Sequence, residues 1–256
     1  MTLEIPQTPS FRLDGKRSLV VGASRGIGLA AAAALAQAGA EVVAAARSKE
    51  DLDEFCAELN AQGHKALAVA LDAVDSDAVD ALFASQGPFD VVVNSVGTNR
   101  LARLVDVTNE DLDFLLDVNV KSAFYIARAA ARTMQDSGIA GSIITISSQM
   151  GHIGGTDRSV YSATKHALEG MTKSLAWEVG KNGIRANTVC PTFIETALAI
   201  PILARPGVRE WGVSQIALNR LGHIEEVMGP VLFLASDASS LVTGSAIMLD
   251  GGWTAR

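Results

Sequence analysis

Cysteine, histidine and basic charge are all scarce in this sequence, and each scarcity removes a class of explanation. There are two cysteines, Cys56 and Cys190, far apart in the chain. Two thiols in 256 residues do not make a disulfide scaffold, and both are expected to be buried as small apolar side chains. The four histidines, His64, His152, His166 and His223, are scattered. No Cys-x-x-Cys pair or Cys/His run accompanies them, so no metal site is expected. Acidic residues outnumber basic ones by 28 to 21, for a net charge of -7. An acidic surface repels phosphate backbones, so nucleic acid is not an expected partner. The longest apolar stretch, Ile27 to Ala36, is ten residues of mostly alanine and too short to span a bilayer, so no membrane contact is expected. Met1 to Pro6 lacks the charged-then-apolar pattern of a secretory leader, and a cytoplasmic location is the expectation. Repeats, low-complexity segments and a Pro/Ser-rich linker are absent as well.

What is present is a core-forming composition, with 48% hydrophobic and 19% charged residues. Residues 1–12, with Pro6 and Pro9 and no periodicity, read as an arm, and 13–256 as one domain. Short β-type runs alternate with helical patterns. Strands are expected at Arg17–Val21, Glu41–Ala46, Lys65–Leu71, Phe89–Asn94, Ser142–Ser147, Ile184–Val189 and Ala246–Leu249. Helices are expected at Ile27–Ala38, Asp51–Gln62, Leu112–Met134, Ser159–Gly180 and Glu225–Leu234. Runs such as Ser142–Ser147 do not alternate polar with apolar, which suits strands covered on both faces. The expected class is α/β, a doubly wound parallel sheet of about seven strands with helices on both faces.

In such a sheet ligands sit beyond the carboxyl ends of the strands, and the chemistry-bearing residues fall there. Gly22-Ala23-Ser24-Arg25-Gly26-Ile27-Gly28 follows the first strand and opens a helix. Glycines allow a sharp turn and close backbone approach, and the helix start offers free N–H groups to a pyrophosphate. The spacing is GxxxGxG and not the common GxGxxG. The second strand ends Ala45-Ala46-Arg47-Ser48, without the acid that would hold an unmodified ribose. Arg47, with Arg25, suits a 2′-phosphate and so favours NADP(H), with NAD(H) as the alternative. Tyr161 and Lys165 stand four apart and share a helix face. A nearby ammonium is expected to lower the phenol's pKa and fit it for proton transfer to or from an alcohol oxygen. Ser148, or its neighbour Ser147, ends a strand where a hydroxyl could polarise the same oxygen; pleat alternation lets only one of them do so. Asn119 interrupts a helix pattern with an amide that suggests a hydrogen-bonding role.

In order and spacing these residues resemble the short-chain dehydrogenases/reductases, from about Leu13 to Trp253. The motifs are the glycine turn, Asp72 after the third strand, Asn94-Ser95-Val96-Gly97, Asn119, Ser148 with Tyr161-x-x-x-Lys165, and a Pro191 turn after the sixth strand. The resemblance implies a Rossmann fold and an NAD(P)-dependent oxidoreductase that interconverts a ketone and a secondary alcohol. It implies a tetrad of Asn119, Ser148, Tyr161 and Lys165. Ser148 is preferred to Ser147 by its thirteen-residue distance from Tyr161. Cofactor contacts implied in the same way are Asp72 and Ala73 at adenine, Asn94, Ser95, Val96 and Gly97 along the cofactor, and Pro191, Thr192, Ile194 and Thr196 at the carboxamide, together with Tyr161, Lys165, the glycine turn, Arg47 and Ser48. A homotetramer is implied too. Two departures stand out. The family's usual Asn-Asn-Ala-Gly reads Asn94-Ser95-Val96-Gly97, and its usual Pro-Gly reads Pro191-Thr192.

Substrate contacts are expected from Asn99, Arg100, Gln149, Met150, Gly155 and Trp211, under a lid around 195–216. The partner is a small carbonyl or alcohol. Arg100 suits the carboxylate of a sugar acid; Arg100, Arg103, Arg128 and Arg132 together suit an acidic carrier protein bearing a 3-oxoacyl thioester. Sugar-acid or polyol and 3-oxoacyl substrates both stay open. The alternative class is a catalytically silent NADP(H)-sensing regulator on the same fold.

Overall fold

A strand buried on both faces needs apolar residues at successive positions, because its pleat sends neighbours to opposite sides. β1 (Arg17–Val21) and β2 (Glu41–Ala46) supply them. In the computed structural model, which describes residues 5–197 and 199–256, Val20, Val42 and Ala44 enter one core cluster while Leu19, Val21, Val43 and Ala45 enter another. The first is closed by α1 (Gly26–Gln37) through Ala31 and Leu35, and by the Val231 and Leu234 side chains near the C-terminus. After α2 (Lys49–Ala61), β3 (Lys65–Ala70) and α3 (Ser76–Gln86) comes β4 (Val91–Asn94), then α4 (Asn109–Leu116) and α5 (Ser122–Asp136). β5 (Ser142–Ile146), α6 (Ser159–Val179), β6 (Arg185–Pro191), the short α7 (Ile200–Leu203) and α8 (Val208–Ser214), α9 (Met228–Ala235) and β7 (Ala246–Leu249) complete the order. The second cluster is closed by Val79 and Phe83 of α3, Ile126 and Met134 of α5, and Ala176 of α6.

All seven strands are parallel, in the order β3-β2-β1-β4-β5-β6-β7. This is a doubly wound Rossmann-type sheet. Its order reverses between β1 and β4, and connections leaving these two strands in opposite directions open a crevice at their carboxyl ends. Among the described residues no helix is long and apolar enough to cross a membrane. Residues 5–12 are exposed and carry no helix or strand; Leu13 is the first buried side chain among the described residues. Residues 1–4 of the expected arm and Leu198 of the expected lid lie outside the described residues.

The structure adds the short α7 and α8 where no helix was expected, and it departs from the sequence-based elements in two further places. A helix over Ser76–Gln86 fills a stretch left without one; Asp75 caps it by accepting from the Asp77 and Ala78 amides, and Val79, Leu82 and Phe83 are its buried face. The single long helix expected from Leu112 to Met134 is broken by a π-helical segment, Asp117–Lys121, between α4 and α5. Inserting a residue into the helical ladder turns one side chain out of phase. Here that segment carries Asn119, which is fully buried.

Candidate active site

Backbone packing shapes the first wall of the crevice. Gly22 has φ +87°, and a Cβ there would stand 2.9 Å from the carbonyl of Ser95. A Cβ on Gly28 would stand 2.0 Å from the Gly22 carbonyl oxygen. Only hydrogen fits at either position, so the turn folds back on itself and leaves the start of α1 open to a ligand. A cavity of about 610 Å³ runs from this turn along the strand ends. At one end it is lined by Ser24, Arg25, Arg47, Ser48 and Asp51, and neither arginine forms an ion pair among the described residues. Asp72, Ala73, Ser95, Val96 and Gly97 carry the wall past β3 and β4.

The other end gathers Ser148, Tyr161 and Lys165. Ser148 follows β5, and its Oγ accepts from the Met150 amide at 3.1 Å and donates to Gln149 Oε1 at 2.9 Å. Lys165 is 4% exposed, and its Nζ donates to the Ile146 carbonyl at 3.0 Å. Nζ sits 5.7 Å from the centre of the Tyr161 ring. Asn119 stands behind them. Its Oδ1 accepts from the Thr98 amide at 2.8 Å, while Nδ2 donates to the Thr98 carbonyl and to Thr164 Oγ1, both at 3.0 Å. A Cβ on Gly97 would lie 3.4 Å from Lys165 Nζ and 3.6 Å from Asn119 Oδ1, so this glycine keeps the ammonium and the amide close to one another.

Burial sets the electrostatics. It pulls the Lys165 ammonium down to about 8, against the upward pull of Cys190 and Glu169. It pushes the Tyr161 phenol upward, against a hydrogen bond with Ser148 and the positive charge of Arg158. Arg158 is thus a second cation beside the phenol, in addition to the Lys165 expected from the Tyr-x-x-x-Lys spacing. Arg158 is itself held low by burial. Its guanidinium lies 5.6 Å from the centre of the Phe193 ring and forms no ion pair among the described residues.

A family model described as Enoyl-(Acyl carrier protein) reductase matches residues 22–254. Gluconate 5-dehydrogenase of Gluconobacter oxydans is 37% identical over 248 residues, which covers 95% of this chain and 96% of the relative. The chain is a short-chain dehydrogenase/reductase. The 3-oxoacyl-acyl-carrier-protein reductase of Thermotoga maritima is 39% identical over 246 residues, 94% of this chain and 99% of the relative. A crystal structure of a gluconate 5-dehydrogenase from Burkholderia cenocepacia, in complex with NADP and tartrate, superimposes with a TM-score of 0.91 at 34% identity, over 96% of this chain and 98% of that one.

In this dehydrogenase/reductase most of the expected site residues share one cavity. Gly22, Ser24, Arg25, Gly26, Ile27, Arg47, Ser48, Asp72, Ala73, Ser95, Val96 and Gly97 line it, as do Asn99, Ser148, Gln149, Met150, Tyr161, Lys165, Pro191, Thr192, Ile194 and Thr196. Others lie off its wall. Gly28 packs on Gly22, Asn94 Oδ1 accepts from the Val96 amide at 3.0 Å, and Asn119 stands in the second layer. Arg100 pairs with Asp111 and covers the Phe114 ring, Gly155 packs against Met150, and Trp211 meets Trp253 edge to face at 5.5 Å. Ser147 lines the cavity too, but its Oγ turns toward Cys190, leaving Ser148 beside the phenol.

Arg158, Phe193, Phe114 and Asp51 line the cavity without having been expected there. Arg158 left a trace in the sequence, because it precedes Tyr161 by three residues and stands at the N-cap of the helix that carries the phenol. Phe193 left none. Tertiary packing also joins His152, Glu169 and Cys190, whose separation in sequence argued against any such cluster.

Proposed function

We propose that this chain is an NADP(H)-dependent oxidoreductase that interconverts a ketone and a secondary alcohol on a small hydroxylated carboxylate of the sugar-acid class. The observation that carries it is the convergence of Tyr161, Ser148 and Lys165 at one end of a cavity whose other end is the glycine turn with Arg25 and Arg47.

The residues present fit the cofactor. The Gly22–Gly28 fold-back leaves a cradle that a Cβ would fill. Two arginines outweigh the single Asp51 at the ribose end, which suits a 2′-phosphate. Thr192 Oγ1 and Asn99 Oδ1 are buried on the cavity wall without a hydrogen-bond partner among the described residues, and a polar ligand would satisfy both. Bound there, NADP(H) supplies or accepts the hydride. Tyr161 gives its phenolic proton to the carbonyl oxygen in reduction and takes it back from the alcohol in oxidation. Ser148 holds that oxygen with its hydroxyl. Lys165 stabilises the phenolate that forms, and Asn119 fixes the Thr98 backbone beside the ammonium. The stretch 195–216 serves as a lid, with Ala197, Ala199 and Ile202 on the cavity side.

Arg158 argues for the substrate class. A partly buried guanidinium next to the acid–base group, with no ion pair among the described residues, is incompletely solvated, and a carboxylate would supply its partners. The tartrate held with NADP in the Burkholderia cenocepacia relative is a hydroxy carboxylate of this kind. The carrier-protein surface has less support: of its four arginines Arg100, Arg103 and Arg128 are paired with Asp111, Asp106 and Asp80, which leaves Arg132 as the one without an ion pair among the described residues. A homotetramer and a cytoplasmic setting belong to the same reading. Exposed Phe124 and Trp177 on α5 and α6, and two free buried cysteines, support them.

The test is Tyr161→Phe, assayed with NADPH or NADP and a panel of keto and hydroxy sugar acids. Losing the acid–base group is expected to lower turnover by roughly 10²- to 10⁴-fold with NADPH binding retained. Full residual activity in that variant defeats the assignment.

A further inference from the structure

His152, Glu169 and Cys190 meet behind the reacting groups, on the far side of Ser147. Glu169 lies one turn beyond Lys165 on α6 and is 5% exposed; Cys190, on β6, is fully buried. His152 enters from the loop after Ser148 with its side chain 29% exposed. Cys190 Sγ donates to Glu169 Oε1 at 3.3 Å and lies 3.5 Å from His152 Nε2. His152 Nε2 lies 3.5 Å from Glu169 Oε2. Thr188 Oγ1 donates to Glu169 Oε2 at 3.0 Å and stands 3.4 Å from Cys190 Sγ. The hydride and proton chemistry above uses none of the three.

The geometry has the scale of a coordination shell. His152 Nε2, Cys190 Sγ and a Glu169 carboxylate oxygen all lie within 4.8 Å of one another, with Oε1 facing the sulfur and Oε2 the nitrogen. Zinc binds nitrogen and oxygen at about 2.0–2.2 Å and sulfur at about 2.3 Å, so donors around one ion stand roughly 3–4 Å apart, and a small closure of the three side chains reaches that spacing. One nitrogen, one oxygen and one sulfur donor suit a borderline-soft cation better than magnesium or calcium. Charge also balances, since a carboxylate and a thiolate together neutralise a dication, as burial requires. The exposed edge of His152 provides an entry path. Ser147 Oγ, buried on the Cys190 side with no full hydrogen bond of its own, leaves a further polar atom at the site.

We propose that His152, Glu169 and Cys190 bind one divalent cation of the zinc class, with Thr188 or a water as the fourth ligand. Binding forms metal–nitrogen, metal–oxygen and metal–sulfur bonds, breaks the Cys190 S–H bond and releases that proton to solvent. No electrons are transferred.

The experiment uses the whole chain, freed of metal with a chelator, and cobalt(II) as the probe. Cobalt accepts the same donors and reports a thiolate ligand through a near-ultraviolet charge-transfer band. The expected result is one cobalt per chain with that band present, and its loss when zinc is added. His152→Ala weakens uptake at least tenfold, Cys190→Ser removes the band, and Cys56→Ser leaves both unchanged. Circular dichroism verifies that each variant is folded; if Cys190→Ser is not, the partly exposed His152 decides. No stoichiometric uptake by the native chain, uptake unaffected by His152→Ala, or a band that survives in folded Cys190→Ser overturns the proposal.

Discussion

At the glycine end of the cavity, recognition groups come from short continuous stretches that leave the strand ends: one turn from β1, one arginine after β2, one acid after β3. At the Tyr161 end they come from a π-distorted helix, the end of β5, the start of α6, the turn after β6 and the segment around α7. The first end is made mainly of backbone, and sterics define it, because two glycines pack where no side chain fits. The second is made of side chains, and burial defines it, moving the Lys165 ammonium down to about 8 and the Tyr161 phenol upward. Backbone geometry tolerates no substitution but sets only where a cofactor lies. Side-chain chemistry can be exchanged piece by piece, and with it the substrate.

Three substitutions sharpen this contrast, in descending order of effect. Gly28→Ala places a methyl 2.0 Å from a carbonyl oxygen that cannot retreat. Overpacking of this kind costs about 3 kcal/mol or more, so NADPH affinity measured by fluorescence titration should fall at least ~100-fold. An affinity within a few-fold of the native value would show that the turn is not the rigid element described. Arg47→Asp removes a charge-assisted contact worth about 2 kcal/mol, and the ratio of kcat/KM for NADPH over NADH should drop by roughly 30-fold. An unchanged ratio would move 2′-phosphate recognition elsewhere. Arg158→Leu should raise KM for a carboxylate substrate by about 10-fold, the value of one charged hydrogen bond, and leave KM for a neutral polyol or ketose nearly as it was. Equal losses on both substrates would make Arg158 a packing residue and weaken the sugar-acid assignment.

How much was legible follows the same division. The Gly22–Gly28 turn, Arg47, Asp72 and the Tyr161–Lys165 pair could be placed from the sequence, because each depends on local spacing and on its position after a strand. Ser148 over Ser147 was also legible as a spacing, and the pleat gives the reason, as Ser147 turns toward Cys190. Arg100 was the wrong arginine for the cavity wall. It has a nearer partner in Asp111, eleven residues away in sequence, and no local pattern reveals which acid a loop arginine will meet. Arg158 took that place because α6 begins beside it and points it at Tyr161. The helix at Ser76–Gln86 is harder to see in the sequence: Val79, Leu82 and Phe83 have helical spacing, but they are only three apolar anchors between two strand patterns.

Reading the chain alone was enough for the alternation of strands and helices, the glycine turn and the pairing of Tyr161 with Lys165 on one helix face. Those depend on backbone periodicity and on spacings within a turn or two of chain. It took the packed fold to settle which charges line the cavity without an ion pair, that the expected long helix shifts phase to bury Asn119, and that His152, Glu169 and Cys190 come within ligand distance of one another. The physical reason is that burial and long-range contact belong to the packed chain. The free energy of a buried guanidinium, amide or thiol is set by neighbours that no local stretch of sequence contains.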